Sequence, residues 1–457
     1  MIKITRVIQQ NKSLRTGAAR KGSSTVFLAM AFVTFAICIA ASIGIARRLT
    51  VMSACQSFGR IWARAVLSEY DRHLLEDYKL MAYWGNEIEV NRKLDSFMDY
   101  SVAGRLAART GASASDLSGY ELGDPDNFRK ALNKGFAGTA ASAVLSGGGR
   151  HERQGSGTDA EGESSDTGET RKSGRVIGNQ VVLDTLPSGG IGSSVGTDPL
   201  IEKARSAGDE DGVRSEAAGA GIEMLFMWQF FNSCVTVTDD KPHYFNNELE
   251  YIIKGKPDDD ANYEACRNRI FLMRNALNLA ALHKDPAKIE MITTVSQLIT
   301  PGPLGAATQL LLTEAWAALE TEKDLEVLYD NGRVPVLKNP DQWMTDLDSV
   351  LDSSEVRKKL DDESRELLDQ NSNEIKGIDG IRSAGKVLTE GLTYDDHLLL
   401  MILCMNRNTR LLRIMDLVQI NMKYRYYRDF NLMEYYTGVR LALTADGRSY
   451  VFEDSYR

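Results

Sequence analysis

Residues 20–48 read RKGSSTVFLAMAFVTFAICIAASIGIARR, and from Gly22 to Ala46 no side chain is charged. A helix rises about 1.5 Å per residue, so roughly 20 apolar residues cross a hydrocarbon core of about 30 Å. The run from Val26 to Ile45 meets that length. A cleavable secretory core is shorter, about 7–15 residues, and ends in small side chains. Small residues do close this run, at Ala40, Ala41, Ser42 and Gly44, but its length favours a retained transmembrane helix over residues 22–46. Residues 1–21 hold Lys3, Arg6, Lys12, Arg15, Arg20 and Lys21 and no acid. By the positive-inside rule that basic arm is cytoplasmic and the body extracytoplasmic, a single-pass signal-anchor in the cell membrane. Ala36, Ala40 and Gly44 recur every four residues. Such a row of small residues lets helices approach closely in lipid.

The helical pattern continues past the apolar run. Val51, Cys55, Phe58, Trp62 and Ala65 are spaced by four, three, four and three, the seam of an amphipathic helix. Leu74, Tyr78 and Met81 resume it after a phase shift, and Gly85–Asn86 reads as a stop. The expectation is one helix of roughly 60 residues, half in lipid and half outside. With a second helix near Glu89–Thr110 it makes an extracytoplasmic helical stalk over 47–110.

Composition changes after the stalk. Residues 111–220 read as a linker or long loop. Within it lies one helical candidate near Asp126, and Gly, Ser and acids dominate from Ser146 onward. Such a composition buries too little apolar area to offset the entropy of ordering. One island, VIGNQVVLDTL, reads as a strand. Residues 221–430 read as a helical body. GIEMLFMWQFFNSCV is too short for a second span and suits a buried helix. DDDANYEACRNRIFLMRNALNLAALHKD begins acidic and ends basic, as a helix dipole prefers. A third helix ends at Asn331–Gly332. DDHLLLMILCMNRNTRLLRIMDLVQINMKYRYY reads as a fourth, roughly 30 residues long. Residues 431–457 read as a β-hairpin turning at Asp446–Gly447. The fold class is mainly α with a small antiparallel β element, α+β.

The formal net charge is −9, and because the first 21 residues contribute +6, the remainder carries −15. That balance argues against electrostatic binding of the remainder to nucleic acid or anionic lipid. The five cysteines make no CxxC pair, and a disulfide among Cys234, Cys266 and Cys404 stays open. No H-E-x-x-H and no G-x-G-x-x-G occurs. GSSVG at Gly192–Gly196 lacks the strand and helix of a nucleophile elbow. GIRSAGKV at Gly380–Val387 has Val387 where a P-loop needs Ser or Thr. LPSGG at Leu186–Gly190 lacks the threonine and following span of a sorting signal. Asp258–Asp260 lacks the alternating ligands of a calcium loop and suits a helix start. The five histidines stand singly, without catalytic partners. No catalytic residue, cofactor or metal ligand is expected, and the chain does not read as an enzyme.

The basic arm, Lys21–Gly22, the STVFLAMAF run and LSEYDRHLLEDYKLMAY (Leu67–Tyr83) together resemble the TadE/TadG-like proteins of tight-adherence (Flp-type) pilus systems. The resemblance is nearest to an uncharacterised-domain type of Gram-positive bacteria. ELEYIIKGK, RNRIFLMRNALNLAAL and RLLRIMDLVQINMK extend it over most of the chain outside the linker. It implies a pseudopilin-like surface protein in pilus assembly, with the lipid bilayer and other pilus subunits or assembly-platform proteins as partners. Pilin-type processing would cut between Gly22 and Ser23. The glutamate such pilins carry at the fifth position after the cut is Phe27 here. The metal-adhesion motif of some relatives, D-x-S-x-S, is absent. The rival classes are an extracytoplasmic binding or sensor module and a membrane-tethered envelope enzyme.

Overall fold

The computed structural model describes residues 21–104, 108–145, 151–152, 186–189, 210–382 and 390–456. Its helices are α1 (Lys21–Leu67), α2 (Arg72–Tyr78), α3 (Glu87–Met98), α4 (Pro125–Leu145), α5 (Glu210–Phe230), α6 (Glu248–Lys254) and α7 (Asp259–His283). They continue as α8 (Pro286–Ile299), α9 (Gly305–Tyr329), α10 (Leu347–Asp352), α11 (Ser354–Lys359), α12 (Asp362–Gln370), α13 (Ser372–Lys376), α14 (Tyr394–Leu403) and α15 (Arg407–Arg425). Strands β1 (Ala114–Asp116), β2 (Gly438–Ala445) and β3 (Arg448–Ser455) form an antiparallel sheet in that order. The class is therefore α+β, with one long apolar N-terminal helix.

The chain forms two compact units. The first combines residues through 69 with 83–120 and 438–456. In it Ala445 pairs with Arg448 across a two-residue turn in which Asp446 and Gly447 both have positive φ, 47° and 75°. That geometry matches the twist of the flanking strands. Val439, Leu441, Leu443 and Ala445 are buried along one face of β2, the period-two pattern of a half-covered sheet. Phe452 lies opposite Leu441 and so shares that face.

The second unit holds residues 70–82 and 121–437 and is helical. One core gathers Leu74, Phe128, Phe226, Ile252, Ile270, Leu328, Leu398 and Leu417. A second gathers Ile292, Leu312, Trp316, Trp343 and Leu351. Helix α15 is buried from Thr409 to Met422 apart from Leu412.

Several boundaries differ from the sequence reading, each for a local reason. Helix α1 stops at Leu67, where the Ser68 hydroxyl donates back to the Ala65 carbonyl (2.7 Å). Asp71 opens a separate helix by accepting from the Leu74 N–H (2.9 Å). The phase shift between Ala65 and Leu74 was the sequence mark of that break. Asn86 is the cap that starts α3, accepting from the Glu89 N–H, rather than a stop. The stretch read as one 30-residue helix is two, because the Asn406 side chain caps the N–H groups of Asn408 and Thr409. The span read as a linker over 111–220 contains β1 and α4, whose Phe128, Leu132 and Phe136 are core residues. The strand island lies outside the described residues except for Leu186, and so do GSSVG, the 1–20 arm and most of GIRSAGKV.

Candidate functional site

Helix α1 changes character along its length. From Thr25 to Thr50 every side chain is exposed among the described residues. The stretch is long and apolar enough to cross a membrane. Within it the Thr34 hydroxyl donates to the carbonyls of Met30 (3.0 Å) and Ala31 (2.9 Å), so that group is satisfied by the helix's own backbone. Ala36, Ala40 and Gly44 lie within this exposed stretch, and a Cβ built on Gly44 meets nothing within 4 Å. Gly22 and Ser23 fall in the first turn of α1.

At Val51 burial begins. Val51, Cys55 and Trp62 are buried, and Phe58 and Ala65 half-buried. The seam read from the sequence is covered by the chain itself. Phe452 of β3 sits so close to Gly59 that an added Cβ would lie 2.3 Å from its ring. Trp62 stacks with Phe58 at 5.7 Å and with Phe97, in the last turn of α3, at 6.1 Å. Arg64 pairs with Asp454 (3.6 Å), and the Tyr456 hydroxyl donates to the Leu67 carbonyl (2.6 Å). Burial, and then the charge of Asp446, raise the Cys55 thiol above its ordinary range.

The second unit hides charge in its core. Glu223 accepts from both Arg407 (3.0 Å) and Arg410 (2.8 Å). Asp416 accepts from the Tyr251 hydroxyl (2.9 Å) and the Ser188 N–H (2.9 Å), which docks the turn Leu186–Gly189 on α15. Burial pushes Asp416 up to about 6, against those hydrogen bonds and Arg413. Glu250 accepts from the Tyr394 hydroxyl (3.0 Å) and the Cys234 N–H (3.1 Å), and burial lifts it to about 7. His243 lies between Glu248 (2.8 Å) and Asp239 (2.9 Å). Burial opposes its charge, but the two carboxylates prevail and raise it to about 9. Arg274, Asp324, Lys338 and Glu320 form a fully buried quartet of two cations and two anions.

These groups hold helices and loops to one another. Burial carries the Cys234 and Cys266 thiols upward, away from the thiolate a nucleophile needs. All five cysteines are free thiols. Among the described residues no group of His, Cys, Asp and Glu is placed to hold a metal ion. The networks were missed in the sequence, although Arg410, Arg413 and Asp416 recur every three residues among Leu411, Ile414, Met415 and Leu417. That spacing places charges on a face the periodicity assigns to the core.

Fold and site together define an α+β protein whose N-terminal helix is long and apolar enough for a membrane and continues, unbroken, into a packed unit. The model of a family of unknown function, DUF5702, matches residues 185–447, more than half of the chain, and the chain belongs to that family. No curated protein and no solved structure matches it.

Proposed function

We propose that this chain is a single-pass, membrane-anchored, pseudopilin-like structural component of a Tad-type (Flp) pilus or related secretion apparatus, with its body extracytoplasmic. The observation that carries the reading is α1 itself. Its first half is an apolar helix with every described side chain exposed, and its second half is built into the first unit. A continuous helix couples the position of the span to the position of that first unit, as an assembly subunit requires. The N-terminal resemblance to TadE/TadG-like proteins supports the same reading.

On this reading subunits meet along the apolar half of α1. The seam from Val51 to Ala65 is occupied within the chain, so helix–helix contact falls to the Ala36, Ala40 and Gly44 row in lipid. Deleting the gene and counting surface filaments tests the proposal, with loss or shortening of filaments expected. Wild-type piliation overturns it and leaves a membrane-anchored binding module as the better account.

A further inference from the structure

We propose that the base of the first unit, formed by Arg48, Arg109 and Arg448 around the β2–β3 turn, binds anionic phospholipid head groups of the membrane that holds α1. This inference rests on reading α1 as a retained anchor. The argument begins with height along the helix. The apolar run ends at Ala46, and the first covered residue is Val51. At about 1.5 Å per residue the packed unit starts about 7 Å beyond the hydrocarbon edge. Each head-group layer is about 5–8 Å deep, so the lower edge of the unit meets it.

Strand β3 fixes what stands at that edge. Phe452 is level with Gly59, Asp454 with Arg64 and Tyr456 with Leu67. The strand therefore runs along α1 away from the membrane, and its first residue points back toward it. Arg448 lies four residues before Phe452, about 13 Å at a strand rise of about 3.3 Å. That distance is about nine helical residues and brings Arg448 level with Thr50. The neighbouring Asp446 acts on Cys55, which agrees. Arg109 is held at the same turn by two hydrogen bonds, its N–H to the Asp446 carboxylate (3.0 Å) and the Asp446 N–H to its carbonyl (2.8 Å).

Charge completes the case. Arg48, Arg109 and Arg448 are exposed, and Arg47 adjoins Arg48 on α1. Asp446 is the acid within the turn, and its carboxylate already accepts from the Arg109 N–H. The chain beyond residue 21 carries −15, so a basic edge here runs against the balance of the molecule. Near an anionic surface each such arginine gives about a fivefold gain in association.

The test is amide hydrogen exchange on the full chain in vesicles of phosphatidylcholine alone and in vesicles one-third phosphatidylglycerol. Peptides covering 108–112 and 446–450 are expected to exchange several-fold more slowly in the anionic vesicles. The triple variant Arg48→Gln, Arg109→Gln, Arg448→Gln is expected to lose that difference while keeping the wild-type thermal midpoint. Equal exchange in both vesicles, with the chain co-floating with them, overturns the head-group site and leaves the anchor standing. Failure to co-float removes both. Equal protection by soluble polyphosphate in neutral vesicles assigns the edge to a phosphate polymer and overturns the lipid assignment.

Discussion

Single residues show where close approach is required. A Cβ on Gly135 would lie 1.9 Å from the Lys79 carbonyl oxygen, a backbone atom that cannot turn aside. Gly135→Ala is therefore expected to destabilise by roughly 3 kcal/mol or more, the upper range for overpacking, read as a fall in the denaturation midpoint. At Gly59 the obstacle is the Phe452 ring instead, so Gly59→Ala costs less and Phe452→Leu in the same chain recovers part of it. A wild-type midpoint for Gly135→Ala would refute the contact. Glu250 offers a test in pH. Its folded form titrates near 7 against an ordinary 4.5, so it binds its proton more tightly when folded. Its contribution is full below pH 4.5 and lost as pH rises through about 7. Glu250→Gln removes that loss. The variant should gain up to roughly 3 kcal/mol over wild type at pH 8, from about 1.4 kcal/mol per pKa unit, and nothing at pH 4. An equal gain at both pH values would sink the assignment. Neither glycine nor Glu250 was legible in the sequence, because each depends on a neighbour distant along the chain.

Among the elements, those fixed by local chemistry were the legible ones. The apolar run of α1, the Asp258 cap of α7, the end of α9 before Asn331 and the Asp446–Gly447 turn each follow from a few adjacent side chains. The breaks after Leu67 and at Asn406 were missed because periodicity bridges a capped gap of two or three residues. Strand β1 and the docked turn at Leu186–Gly189 were missed for another reason: their composition is polar, and long-range partners alone order them. The buried quartet is the same case, drawing the loop that carries Lys338 onto α7 and α9. Lys338→Met leaves Glu320 and Asp324 buried without their shared cation, at an expected cost of roughly 3–5 kcal/mol. Adding Glu320→Gln to that variant should recover part of the loss, because one buried charge is removed. If the single variant unfolds at the wild-type urea midpoint, the quartet does not hold the loop.

At the scale of the whole molecule the chain closes on its own N-terminal helix. Residues 438–456 return to the helix that began the chain, and β2 and β3 cover the seam of α1. Alternation from Val439 to Ala445 marked a strand, but a period of two says nothing of what lies on the covered face. The sequence therefore left the seam open for partner helices. The return has a mechanical consequence. Deleting residues 438–457 uncovers Val51, Cys55, Trp62 and Val66, which are at most 5% exposed in the intact chain. Four uncovered large or apolar side chains on one helical face form a patch that draws association. The second unit keeps its segments 70–82 and 121–437. The truncated chain is expected to be cut by protease between Val51 and Leu67 and to bind a hydrophobic dye. It should retain a resistant fragment from the second unit with most of its helical circular dichroism. Loss of that fragment together with the sheet would mean that the two units fold as one cooperative body. Survival of the 51–67 stretch uncut would mean that β2 and β3 do not protect it.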